Sequence, residues 1–126
     1  MDSSIRMEYM YRDADNYKAY GVLYLTGRFE TKYERTIVDC LESGELFVAE
    51  QVNIPTLYSQ LWEYSNGPTM ADHAYHEFLS LSLTDHKIDK DITIWGTIDN
   101  LVKSFLIAKG NWDCSKSIHF RYFSQI

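Results

Sequence analysis

This sequence of 126 residues lacks the features of exported and membrane-bound proteins. Its two cysteines are too few for a disulfide framework, so we expect Cys40 and Cys114 to be thiols in a reducing compartment. No run approaches the roughly 18 apolar residues that a membrane-spanning helix needs, and the N-terminus has no apolar stretch of signal-peptide length. We therefore predict a cytoplasmic protein that does not contact a membrane.

Positive charge is absent from the middle of the chain. Between Arg35 and Lys87 there is no lysine or arginine, while eight of the 18 acidic residues fall within 36–86. The formal net charge of the whole chain is −6. This distribution excludes a general nucleic-acid coat, and it favours a partner with a basic protein surface.

Recognisable catalytic motifs are also missing. The sequence has no G-x-S-x-G, no P-loop and no G-x-G-x-x-G, and Cys40 falls on a helix face that we predict to be buried. We therefore predict that the protein is not an enzyme and uses no cofactor.

Aromatic residues are abundant, with 3 Trp, 10 Tyr and 6 Phe. Ten tyrosines cannot all be buried with satisfied hydroxyls, so some should face solvent or a partner. Trp62 and Tyr75 are candidate anchors for such a partner, although an aromatic at helical spacing, as in Tyr58 and Trp62, can equally belong to the core.

The periodicity of apolar residues predicts the order β-β-α-(short α)-β-α-β. Strands are expected around 5–11, 19–26, 75–83 and 118–123, whereas 92–95 fits a strand or an extended segment equally well. Gly21 should mark a bulge or a close backbone approach.

Helices are expected at 32–43, at 56–64 and from Thr97 to about Gly110. Thr31 and Glu34 have the spacing of a capping box, and Thr97 is a good N-cap residue. The fold class that follows is α+β, with one domain over 1–126. Its simplest architecture is an antiparallel or mixed sheet of about four strands with two main helices on one face.

A histidine cluster lies at 72–77, where His76 and Glu77 are candidate acid–base residues. His73 and His76 would converge on a metal ion only if the segment were a helix or a turn, and we predict a strand entry with no metal.

Polar residues also concentrate at 11–18, in the predicted turn of the first hairpin. Arg12 and Lys18 could donate to an anionic ligand. Alternatively, Asp13 and Asn16 cap the turn, and Arg12 pairs with a neighbouring aspartate.

Three stretches together resemble a family of small uncharacterised bacterial and phage proteins. Residues 11–18 (YRDADNYK) resemble its Y-R-D-x-x-N-Y-K opening. Residues 44–57 (GELFVAEQVNIPTL) resemble its G-E-Y-F-x-x-E-Q-V-G-L-P-x-L stretch, and residues 72–78 (DHAYHEF) its D-H-x-W-H-E-F.

This chain departs from the family pattern at Leu46, Asn53 and Tyr75. The resemblance implies a cytoplasmic protein and no particular reaction. It also implies six positions as a shared site, which could equally specify the fold: Arg12, Asp13, Asn16, Lys18, His76 and Glu77.

Three functions fit these observations. The favoured one is a non-catalytic protein that captures a basic protein partner, in the manner of an immunity protein or a phage antagonist of host defence. The second is a binder that sequesters a nucleotide-type ligand through Arg12, Lys18, Arg28 and Lys32. The third is a hydrolase-like enzyme using His76 and Glu77. A homo-oligomer is compatible with each.

Overall fold

A long central strand organises the fold. The computed structural model describes residues 4–65, 67, 73–84 and 93–116, with the backbone alone at 63–65. In strand β1 (Ser4–Arg12) apolar residues alternate with polar ones, and it pairs antiparallel with β2 (Lys18–Thr26) through the predicted hairpin. On its other side β1 pairs antiparallel with the ten-residue strand Tyr75–Thr84.

Within the described residues, two short strands bring the mixed sheet to five strands. Strand β3 (Leu46–Val48) pairs antiparallel with Tyr75–Thr84, which is β4, and β5 (Ile94–Thr97) runs parallel to the end of β2. The order across the sheet is β3-β4-β1-β2-β5. The α+β class is confirmed. The count of four strands was too low. The three residues of β3 give no alternation, and the segment at 92–95, which was left open, contributes to β5.

Helix α1 (Lys32–Cys40) is shorter than predicted and lacks the expected capping box. Leu41 is already extended, and a tight turn with positive φ at Ser43 and Gly44 leads into β3. The Thr31 side chain makes no capping bond. The Glu34 carboxylate instead accepts a 2.9 Å hydrogen bond from the backbone N–H of Leu81, which fastens α1 to the sheet.

The other two helices lie close to their predicted positions. Helix α2 (Tyr58–Ser65) is the predicted short helix, and α3 (Ile98–Ala108) begins after Thr97 as expected. The Thr97 Oγ1 accepts a 3.1 Å hydrogen bond from the N–H of Asn100, as an N-cap does. The predicted strand at 118–123 lies outside the described residues.

The leucines of β4 do not form the single apolar face that their alternation predicts. The register between β1 and β4 shifts at Glu8 and Tyr9, so Leu79 becomes the extra residue of a bulge. Leu81 is buried, whereas Leu79 is 44% and Leu83 51% exposed.

One core cluster lies on the face of the sheet that the odd-numbered residues of β1 share with Leu23, Leu25 and Leu81. α1 contributes Ile37 and Cys40, and α3 contributes Ile98, Leu101, Val102, Phe105 and Ala108. Gly21 makes the predicted close approach, because a Cβ there would lie 2.7 Å from the Tyr9 ring. Among the described residues, no helix is long and apolar enough to cross a bilayer.

Candidate functional site

His76 is held in the core by a complete set of hydrogen bonds. Its side chain is fully buried, its Nε2 accepts the backbone N–H of Leu57 at 2.9 Å, and its Nδ1 lies 3.3 Å from the carbonyl oxygen of Ala74. Because a carbonyl can only accept, Nδ1 carries the proton and the ring is neutral. Burial lowers the pKa of His76 to about 4, against smaller opposing effects from the Ala74 bond and the Glu50 carboxylate.

The aromatic residues around His76 also bond to the segment that precedes α2 and includes Leu57. The ring of His76 packs against those of Tyr9, Tyr11, Phe47 and Tyr58, with centroids 5.3 to 6.3 Å apart. The Tyr9 hydroxyl donates to the carbonyl of Pro55 at 2.7 Å, and the Tyr58 hydroxyl donates to the Glu50 carboxylate.

The first and third family-like stretches are joined on the opposite face of the sheet. The Arg12 Nε donates to Glu77 Oε2 at 3.0 Å, and its terminal nitrogen donates to Asn16 Oδ1 at 2.7 Å. The predicted pairing of Arg12 with a neighbouring aspartate is therefore wrong. Both partners are partly exposed, at 41% and 25%, so this pair contributes about 1 kcal/mol at most.

Asp13 and Asn16 form the turn as the capping alternative predicts. The Asp13 carboxylate accepts the N–H groups of Asp15 and Tyr17, each at 2.9 Å. Asn16 has a φ of 71°, a left-handed conformation that asparagine tolerates better than most residues. These two residues therefore shape the hairpin.

His73 ties the entry of β4 to the end of β1. Its Nε2 lies 2.8 Å from the carbonyl of Arg12, and its Nδ1 accepts the N–H of Tyr75 at 3.1 Å. Both of its nitrogens are thus engaged. No group of three His, Cys, Asp or Glu side chains in the described part of the chain is arranged to hold a metal ion.

His76 and Glu77 do not converge on one site. As neighbours on a strand they point to opposite faces of the sheet, His76 into the core and Glu77 towards Arg12. One substrate therefore could not contact both side chains on the same face of the sheet.

The four cations of the nucleotide hypothesis are also separated. Arg12 and Lys18 face each other at the start of β2, while Arg28 and Lys32 follow its far end. The nine residues of β2 put roughly 27 Å between the two pairs, at about 3.3 Å per residue. One nucleotide cannot contact both.

Tyr75 lies in an acidic setting that the sequence did not predict. It pairs with Val48 of β3, and the segment that follows α3 packs beside it. The Gln51 amide anchors that segment by bonding the carbonyl of Asn111 at 3.1 Å and the N–H of Asp113 at 2.8 Å.

Two carboxylates lie close enough to Tyr75 to affect its ionisation. Burial, a hydrogen bond with Cys114 and the charges of Glu42 and Asp113 all raise the pKa of Tyr75. Hydrogen bonds from Ser115 lower the pKa of Asp113, so its carboxylate stays charged. We call Tyr75, Glu42 and Asp113 the Tyr75 site. Asp113 lies 38 positions along the chain from Tyr75, and no local pattern joins them.

The tryptophans are anchored within the fold. Trp62 is partly buried and its ring stacks on that of Tyr58 at 5.3 Å. The indole N–H groups of Trp95 and Trp112 each donate to a backbone carbonyl at 2.8 Å. Trp62 therefore continues the aromatic cluster of the core.

The two cysteines do not form a disulfide. Cys40 and Cys114 are both free, and burial raises the pKa of Cys40, so its thiolate is disfavoured as predicted.

Comparison with family models, with curated proteins and with solved structures found no match.

Proposed function

We propose that this protein is a non-catalytic binding protein that captures a basic protein surface. The observation that carries the proposal is the Tyr75 site, in which a partly buried aromatic ring is near two exposed carboxylates. Amphipathic aromatic rings are common anchors at protein interfaces, and surrounding charge accelerates and orients association.

The acidity around this site is denser than one pair of carboxylates. Asp39 and Glu45 are also exposed, on either side of Glu42 in the chain. A partner that presents arginine or lysine would meet several negative charges and one ring, which can also accept a cation–π contact. An immunity protein or an antagonist of host defence would use such a surface.

Competing functions draw less support from the geometry. Enzymatic acid–base chemistry would need His76 to reach solvent, and its ring is neutral and enclosed. A nucleotide-type ligand would have Arg12 and Lys18 alone, and Arg12 already bonds Glu77 and Asn16. A thermal-shift screen against a nucleotide panel separates this alternative from protein capture.

The test is a pull-down from the source organism's lysate with two alanine variants, followed by kinetics with the purified partner. Tyr75→Ala should weaken binding about 10-fold or more, as truncation of an interface anchor does. Tyr17→Ala is the matched control, because Tyr17 is 67% exposed at the β1–β2 turn.

Association should also slow as salt is raised, because mobile ions screen exposed charges. Equal association rates in low and high salt would refute the electrostatic mechanism. Equal losses from the two alanine variants would refute the Tyr75 site.

A further inference from the structure

Three of the four charged residues of α1 have the sign that opposes the dipole of the helix, the exception being Glu34 in the first turn. Lys32 and Arg35 lie in its first half, whereas Asp39 lies in its last turn and Glu42 just beyond it. A helix is stabilised by acidic groups near its N-terminus and by basic groups near its C-terminus. This helix carries the reverse order on its exposed side, which weakens it in isolation.

These charges share one face. Lys32, Arg35 and Asp39 are spaced i, i+3, i+7, which places them along one stripe of a helix. All three are exposed. Glu34 is exposed too, but its carboxylate is bonded to the backbone of β4, and Ile37 is buried in the core. The stripe runs from positive to negative over about 10 Å, at 1.5 Å per residue.

Ion pairs inside the molecule do not explain the stripe. Lys32 reaches Glu30 at 3.9 Å, in a pair whose side chains are 72% and 43% exposed. Within the part of the chain that the structure describes, Arg35, Asp39 and Glu42 form no ion pair within 4.0 Å.

We propose that α1 is the contact between two copies of this chain, paired antiparallel across a two-fold axis. In that arrangement the positive half of each helix faces the negative half of the other, so one patch complements itself, as a two-fold interface requires. A parallel pairing would place like charges together. The charges of the second copy therefore offset the unfavourable interaction between the charges of α1 and its own dipole.

The contact should be weak and sensitive to salt. A helix of nine residues offers a small, charged interface, which belongs to the transient class. The attraction acts between exposed charges, so mobile ions screen it and higher salt suppresses it. The dimer would cover Asp39 and Glu42. A basic partner would have to displace one copy to contact these two residues.

Sedimentation equilibrium of the full chain tests the proposal. In low salt the average mass should exceed the 14.8 kDa of one chain, and in high salt it should return to that value. The double variants Lys32→Glu/Arg35→Glu and Asp39→Lys/Glu42→Lys should each stay at the mass of one chain in low salt. An equimolar mixture of the two variants should regain the dimer, because their helices then carry opposite charge.

The control for Lys32→Glu/Arg35→Glu is Lys103→Glu/Lys116→Glu, which makes the same change in net charge at exposed positions outside α1 and should still dimerise. Both α1 variants should fold, because each improves the match to the helix dipole, and circular dichroism should show the helix content of wild type. Wild type at 14.8 kDa in low salt, or a mixture that fails to associate, would overturn the proposal. No partner is present in this experiment, so its failure leaves the proposed function unaffected.

Discussion

The buried imidazole of His76 should make the stability of this protein depend steeply on pH. The pKa of its ring is 6.5 in the unfolded chain and about 4 in the folded one. Because the folded-state pKa is depressed, the neutral ring stabilises the fold above pH 6.5, and this contribution is lost as pH falls towards 4. Below pH 4 both states are protonated.

The magnitude follows from linkage. Relative to pH 7.5, protonation of His76 should lower the free energy of unfolding by about 1.4 kcal/mol at pH 5.5 and by about 3 kcal/mol at pH 4. The structural cause is the Nε2 atom, which must give up the N–H of Leu57 when it takes a proton. The charged ring would then lie among aromatic rings with one unpaired donor.

Urea denaturation at the three pH values measures this loss. His76→Gln keeps an acceptor near Leu57 and does not titrate, so it should lose about 3 kcal/mol less than wild type between pH 7.5 and 4. His73→Gln retains His76 and should retain most of the wild-type loss. If wild type and His76→Gln lose the same amount, the reasoning is wrong. An NMR titration of the folded wild type provides a second measurement: a His76 ring that titrates near pH 6.5 would refute the argument.

Three further changes should alter stability in urea denaturation. Gly21→Ala should cost about 1–3 kcal/mol through overpacking against the Tyr9 ring, whereas Gly96→Ala, whose Cβ would meet nothing within 4 Å, should cost much less. Equal costs would contradict the close approach. Tyr9→Phe should cost about 1 kcal/mol for the lost bond to the Pro55 carbonyl, and no change would show that water replaces this bond. Thr97→Ala should cost about 1 kcal/mol as the N-cap of α3 is removed, and Thr97→Ser should restore most of it.

The sequence predicted elements with strong local signals and failed where distant segments decide. The first hairpin and α3 were placed well, because alternation and an N-cap are local features. Helix α1 ended three residues early, because the strand pairing of Leu46 draws the chain away after Cys40. The bulge at Leu79 depends on how β4 aligns with β1, which periodicity cannot show.

The sequence predicted which residues belong to the candidate site, but not how their side chains are arranged. The capping of the turn by Asp13 could be predicted, since it depends on neighbouring residues. His76 and Glu77 were candidates for an acid–base pair, although the strand predicted at 75–83 turns neighbouring side chains to opposite faces. Asp113 and Glu42 could not be linked to Tyr75, because their proximity arises from tertiary packing alone.

The bond between Leu57 and His76 has a consequence for hydrogen exchange. Leu57 precedes α2, in a segment where amides usually exchange through small local openings. Its N–H is bonded to a side chain of β4, and that ring is enclosed by residues of β1, β3 and α2. The Leu57 amide should therefore exchange as slowly as the central strands, so that a position between elements reports the opening of the whole sheet.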